Sequence, residues 1–228
     1  MAPEAESLRY RGILWDLDGT LVETREDIAA AVNGALAERK LPPMPLEAVI
    51  RNVGHGSRYL MARCLERSGV AEATAEQVDG ATEAFVRHYL DHLLDRSKPY
   101  PGIPEMLGRL QDAGAEMAVV SNKPQEPAVR LVEGLGLASR FRLILGMGPN
   151  TDRKPHPGML LEAIDRLEAP LESCVLVGDS PVDVEASRAA GIASVAVAWG
   201  FRSEAELRAT KPDLLAVTVA ELEGWLRG

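Results

Sequence analysis

Cysteine is nearly missing from this chain. Its two thiols, Cys64 and Cys174, lie far apart in the sequence. They frame no disulfide scaffold and no thiolate metal site, and both read as small buried apolar residues. Positive charge is also short: 25 Lys and Arg stand against 34 Asp and Glu, a formal net charge of -9. A field of that sign repels nucleic-acid phosphates, which argues against a general nucleic-acid binder. A single phosphate group is still admissible, because a local site can oppose the global field. No apolar run approaches the roughly 18 residues that cross a bilayer, so no membrane span is expected. The N-terminal stretch MAPEAESLRYRG is polar and lacks the apolar core of a signal peptide. A cytoplasmic enzyme is the expectation. Histidine is sparse as well, and His88, His92 and His156 have no ligand spacing, so they read as surface residues.

What is present suits a folded α/β chain. Of 228 residues, 46% are hydrophobic and 26% charged, enough for one elaborated domain or two small ones. Strand-length apolar bursts recur at 12–15, 117–120, 143–145, 175–177 and 195–198. Near-continuous apolar strands are what a parallel sheet covered on both faces requires. Between most of them run stripes of helical period, such as Met106, Leu107 and Leu110, or Leu160, Leu161, Ile164 and Leu167. Gly114, Gly136 and Gly191 stand where such helices should stop. The pattern predicts a Rossmann-like, doubly wound parallel sheet.

Residues 24–98 break that alternation. They hold no convincing strand, and Ile28, Val32, Ala35 and Leu36 mark an amphipathic helix ahead of Pro42 and Pro43. Two more helical stretches follow, at 59–65 and 78–94, and SKPYPG at 97–102 reads as a stiff, turn-rich return. The expectation is a helical cap over 24–98 inserted into a core made of 1–23 and 99–228.

In open α/β sheets, ligands bind at the carboxyl ends of the strands. The first strand there runs into GILWDLDGTLVET at 12–24, which sets Asp16 and Asp18 beside an apolar run. Carboxylates in apolar surroundings are costly unless paired or metal-bound. The second strand ends in Ser121, Asn122 and Lys123. A later one ends in Gly178 and Asp179, with Asp183 four residues on, and Lys154 sits in the loop TDRKPHPG. If these groups converge, Asp16, Asp18 and Asp179 need a cation between them, and Mg²⁺ fits that donor set. Lys154 and the Ser121 hydroxyl would then face phosphate oxygens, helped by backbone N–H groups near Gly19 and Asn122. Lys123 is expected to meet Asp18 or the phosphate. One carboxylate can attack a phosphoryl group, and a second can protonate the leaving oxygen and activate water. An EF-hand also opens D-x-D, but its sixth and twelfth positions would be Leu21 and Asp27 here, not Gly and Glu.

DLDGTL, Ser121, Lys154 in RKP, and GDSPVD, in that order, resemble the four motifs of haloacid dehalogenase superfamily phosphatases. The resemblance covers nearly the whole chain. It implies a helical cap after the first motif, Asp16 as nucleophile and Asp18 as general acid/base. It also implies Mg²⁺ bound by the Asp16 side chain, the Asp18 carbonyl and Asp179, with Asp183 as ligand or supporting group. Dehalogenases of the superfamily lack the second acid, which counts against dehalogenation. Mutases of the β-phosphoglucomutase type carry a cap histidine where this chain has Ile28. Phosphonatases use a cap lysine, and none precedes Lys40 here. The stretches DGTLVETREDIAAAVN, NVGHGSRYLMARCL and VVSNKP resemble bacterial phosphoglycolate phosphatases, which implies 2-phosphoglycolate as the substrate. Sugar-phosphate or nucleotide phosphatases, an isomerase, and a non-enzymatic phospho-acceptor are the competing readings. Within the cap loop, His55 and Arg58 are the expected substrate contacts, Arg58 as a fork for a carboxylate. Oligomeric state is not legible.

Overall fold

The computed structural model describes residues 8–148 and 151–228. Residues 1–7, most of the segment excluded above as a signal peptide, lie outside the described residues. Three strands form the centre of the fold: β1 (Gly12–Trp15), β4 (Glu116–Pro124) and β6 (Cys174–Gly178). β1 is parallel to both neighbours, with Trp15 level with Val119 on one side and Val177 on the other. Beyond them lie β5 (Leu143–Met147), β7 (Ala193–Val197) and β8 (Leu214–Ala216). The sheet order is β5-β4-β1-β6-β7-β8.

Alternation along the strands divides the core in two. Ile13, Trp15, Val119, Val175 and Val177 belong to one cluster, shared with Met106, Leu107, Leu131 and Leu222. These come from α5 (Ile103–Asp112), α6 (Gln125–Gly134) and α10 (Val219–Arg227). Leu14, Ala118, Val120 and Leu176 face the other way. There they meet Leu160 and Ile164 of α7 (Gly158–Leu167) and Ala186 of α8 (Pro181–Ala190). The short α9 (Glu204–Ala209) precedes β8. Each of β1, β4 and β6 is buried on both faces, which explains their unbroken apolar runs.

Between β1 and the rest of the sheet the chain makes α1 (Arg25–Ala37), α2 (Leu46–Ile50), α3 (Ser57–Arg67) and α4 (Ala75–His92). α1 buries Ile28, Val32, Ala35 and Leu36, the stripe legible in the sequence. α4 starts at a capping box, Thr74 with Gln77. Two features depart from the sequence reading. α2 was not anticipated, being a single apolar turn after prolines. SKPYPG is more than a turn: Lys98–Pro99 forms β3, antiparallel to β2 (Val22–Glu23). Two residues per strand carry too little period for a sequence signal, and pairing supplies what propensity does not. Asp27 closes the insert at its base. Its Oδ2 accepts from the Ser97 hydroxyl at 2.6 Å, Ser97 N at 2.8 Å and Arg96 N at 3.1 Å. Cys64 and Cys174 are both buried thiols. No helix among the described residues is long and apolar enough to cross a membrane.

Candidate active site

The register of β1 sets the site. Asp16 immediately follows the strand, and its N–H still donates to Val177 O at 2.9 Å. Asp179 leaves β6 at the same level. Asp183 sits in the first turn of α8, where its Oδ2 accepts from the Ser180 hydroxyl at 2.5 Å and Ser180 N at 3.2 Å. Asp16, Asp179 and Asp183 present carboxylate oxygens within 4.8 Å of one another. Glycine makes room for them. A Cβ on Gly19, whose φ is +82°, would fall 2.3 Å from Asp179 Oδ2, and one on Gly178 would fall 2.3 Å from Asp183 Cγ.

Two lysines face this cluster. Lys154, 2% exposed, donates to Asp16 Oδ1 at 2.9 Å, Asp183 Oδ1 at 2.7 Å and Val120 O at 2.8 Å. Lys123 donates to Asp18 Oδ1 at 2.8 Å and Oδ2 at 2.9 Å, and the Thr24 hydroxyl adds 2.7 Å to Oδ1. The Lys123 ammonium also lies 4.2 Å from the ring centre of Tyr89, on α4 of the insert. Pairing of β4 with β5 shifts register between Val120 and Pro124. Ser121, Asn122 and Lys123 lie within that irregular stretch, where a bulge re-aims side chains away from the ladder.

The electrostatics follow from burial. Burial pushes the Asp16 carboxyl up to about 6, Lys154 opposes that, and Asp183 adds to it. Burial likewise holds Asp179 well above the ordinary carboxylate range, with Asp16 and Asp183 contributing. Burial alone would lower Lys154 and Lys123. The carboxylates beside them, Asp16 and Asp183 for the first and Asp18 for the second, more than offset it and keep both ammonium groups charged. Four carboxylates therefore meet two ammonium groups, so acids outnumber cations at the floor of the cleft, and burial penalises the ionised forms of Asp16 and Asp179. Asp16 and Asp179 each keep one oxygen that accepts no hydrogen bond from the described residues. That donor set and charge suit a hard divalent cation.

Not every expected residue reaches the site. Ser121 lines the cleft at 2% exposure, and its Oγ accepts from Lys123 N at 3.3 Å. Asn122 lines it too, but its side chain is spent on backbone. It donates to Gly54 O at 2.8 Å and Lys154 O at 2.9 Å, and accepts from Lys154 N at 2.8 Å. Gly19 offers no free amide, since its N–H closes the turn to Val22 O at 2.9 Å; its place is steric, against Asp179. His55 and Arg58 are not among the cleft-lining residues. Arg58 is in the first turn of α3, on its outer side, and pairs with Asp79 at 2.6 Å. The His55 ring packs 4.9 Å from that of Tyr59. His88, His92 and His156 pair with surface acids, as a surface reading requires.

The cleft spans about 710 Å³, part of it open solvent. Beyond the charged floor, its walls are Ile28, Val53, Leu60 and Phe85, with Tyr89, Phe201 and Arg202. Tyr89, Phe201 and Arg202 were not foreseen. Tyr89 reads as one more apolar position of α4, and WGFRS after β7 carries no motif that separates it from a surface turn.

A carboxylate with one free oxygen, a second acid two residues on, a buried lysine and an acidic cluster at the strand ends suit a hydrolase acting on phosphate esters. The model of haloacid dehalogenase-like hydrolases matches residues 13–197, and the chain belongs to that family. Within it, phosphoglycolate phosphatases are similar over most of their length. That of Rhodospirillum rubrum is 37% identical over 198 residues, covering 85% of this chain and 82% of its own. That of Mesorhizobium japonicum is 34% identical over 216 residues, covering 92% and 94%. A solved structure from Lactobacillus delbrueckii subsp. bulgaricus superposes with a TM-score of 0.88 at 30% identity, covering 95% of this chain and 98% of that one.

Proposed function

We propose that the protein hydrolyses a small phosphomonoester, 2-phosphoglycolate in the first place, through an aspartyl-phosphate on Asp16. The observation that carries this is the cluster of Asp16, Asp179 and Asp183 around Lys154, with Asp18 held beside it by Lys123 and Thr24. The free oxygen of Asp16 attacks phosphorus and the ester oxygen leaves. Asp18 protonates that oxygen, then takes a proton from the water that cleaves the acyl phosphate. Lys154 balances charge at the attacked phosphoryl group, and Ser121 donates its hydroxyl to it. Mg²⁺ held by Asp16, the Asp18 carbonyl and Asp179 would neutralise phosphoryl charge and orient its oxygens. Asp183 supports that set, since both its oxygens already accept hydrogen bonds, from Lys154 and from Ser180.

Residues 24–98 serve as the cap. Tyr89 and Phe85 bring α4 over the cleft, and Gly54 O accepts from Asn122 of the core. This wall shields the floor on the cap side, which would limit the water that reaches an acyl phosphate. Ile28 lines the cleft with no proton to give, which argues against an isomerase that returns the phosphoryl group. The name shared by the relatives supports phosphoglycolate over sugar or nucleotide esters. The test is phosphate release from a panel of phosphomonoesters with Mg²⁺. The highest kcat/KM is expected for 2-phosphoglycolate. Alcohol release limited to one equivalent, with no free phosphate, would mean a phospho-acceptor rather than an enzyme, and preference for a nucleotide or sugar ester would replace the substrate.

A further inference from the structure

We propose that Arg202 selects the substrate by taking a carboxylate on the leaving-group side of the phosphoester. This rests on the phosphatase reading above and gives that reading the recognition residue it lacks once Arg58 is on the surface. Three cations line the cleft: Lys123, Lys154 and Arg202. The first two are neutralised by Asp18, and by Asp16 with Asp183. Arg202 is half-buried and pairs with no carboxylate among the described residues. Its donors go to main-chain carbonyls of the cap: Ile50 O at 3.2 Å, Arg51 O at 3.5 Å, and Val53 O in a close contact. Carbonyls orient a guanidinium without forming an ion pair, and Asp179 and Glu206 feel the Arg202 charge only at longer range. A partly desolvated cation in that state favours an anion, and its Nε–H and second Nη1–H, which no carbonyl among the described residues takes, can donate to a carboxylate.

The position is fixed from both sides. Phe201 N donates to Asp179 Oδ2 at 2.6 Å, so the residue before Arg202 is tied to the acidic cluster. The cap carbonyls hold the other end. The guanidinium is thereby held in the lining of the same cleft as Asp16, its orientation restrained before substrate arrives. The apolar wall, Ile28, Val53, Leu60 and Phe85, has no group to bind an anion, and the cap's other donors to the cleft, at Gly56 and Ser57, are uncharged. A short acid fits this layout: phosphoryl group on the charged floor, carboxylate on the one unneutralised cation.

Arg202→Gln separates the two things the side chain does. Gln keeps an amide to donate to the cap carbonyls and loses the charge. Wild-type enzyme, Arg202→Gln and Arg202→Lys are compared on 2-phosphoglycolate and on ethyl phosphate, which lacks the carboxylate. The ratio of the two kcat/KM values should fall about 30-fold or more in Arg202→Gln, as expected for removing one partner of a desolvated ion pair. Arg202→Lys should restore part of it. An unchanged ratio in Arg202→Gln, or an equal loss on both esters in Arg202→Gln and Arg202→Lys, means that Arg202 only latches the cap, and the proposal falls while the phosphatase reading stands. Wild-type enzyme with no preference for the carboxylated ester overturns the phosphoglycolate reading and this assignment together.

Discussion

Asp16 stands at the meeting point of three demands: it must be buried, unprotonated and open on one oxygen. Lys154 satisfies the second by sitting 2.9 Å from Oδ1, and leaves the other oxygen to the cleft. Asp16→Asn removes the proposed nucleophile and a candidate metal donor while preserving shape. Turnover should drop roughly 10⁴-fold or more, with the far-ultraviolet circular dichroism spectrum retained. Pure variant that keeps a few per cent of wild-type activity would take Asp16 out of the role. Asp18 is gripped through both oxygens by Lys123, which holds its carboxyl in one orientation. Asp18→Asn should slow phosphoryl transfer from an alkyl ester by roughly 10² to 10⁴. The defect should be smaller for p-nitrophenyl phosphate, whose leaving group needs little protonation. Rapid-quench measurement of the phosphorylation step on both esters checks this, and equal defects would argue against the acid role.

At the scale of elements, the insert is anchored by its two ends. β2 pairs with β3 over two residues each, too short to be stable without help. Asp27, 2% exposed at the start of α1, ties the returning chain by accepting three hydrogen bonds from Arg96 and Ser97. Asp27→Ala would strand the buried Ser97 N–H and hydroxyl. A loss of about 2–4 kcal/mol is expected from unfolding in urea, because unsatisfied buried donors carry their full desolvation penalty. A change under about 0.5 kcal/mol would mean that water replaces the carboxylate. The same scale explains Asp183. As the third residue of α8 it caps the helix through Ser180, and from there it reaches Lys154. One carboxylate thereby joins helix start, lysine and acidic cluster.

For the whole molecule, the excess negative charge in the cleft is a cost of folding that a cation removes. Burial raises Asp16 and Asp179, so the metal-free protein holds them at a penalty near neutral pH. A divalent ion bound to the folded state alone stabilises it by about 2.7 kcal/mol at a hundred times its dissociation constant. For a chain of 228 residues that corresponds to a rise in Tm of roughly 5–10 °C. Thermal unfolding in EDTA and in saturating Mg²⁺ reads the shift directly. Asp179→Asn should abolish most of it, and an equal shift in that variant would place the ion elsewhere.

The sequence by itself determined the parallel sheet, and it carried the expectation of a helical insert and of acids gathered at the strand ends. Strands buried on both faces must be almost wholly apolar, so Gly12–Trp15 and Cys174–Gly178 stand out, and the acids after them stand out by contrast. Asp16, Asp18, Ser121, Lys154, Asp179 and Asp183 were legible because strand ends in a parallel sheet meet whatever the loops do. The single helical turn α2 and the short paired strands β2, β3 and β8 lack enough residues to show a period. Only the tertiary structure decided the cap's contribution. Arg58 and Arg202 are each one arginine in a polar turn, and no local pattern ranks them. Arg58 faces Asp79 because of where α3 begins, whereas Arg202 faces the cleft because Phe201 is bound to Asp179. Which cation stays unneutralised depends on partners 21 to 152 residues away in the chain, a relation that exists only once the insert has folded back over the sheet.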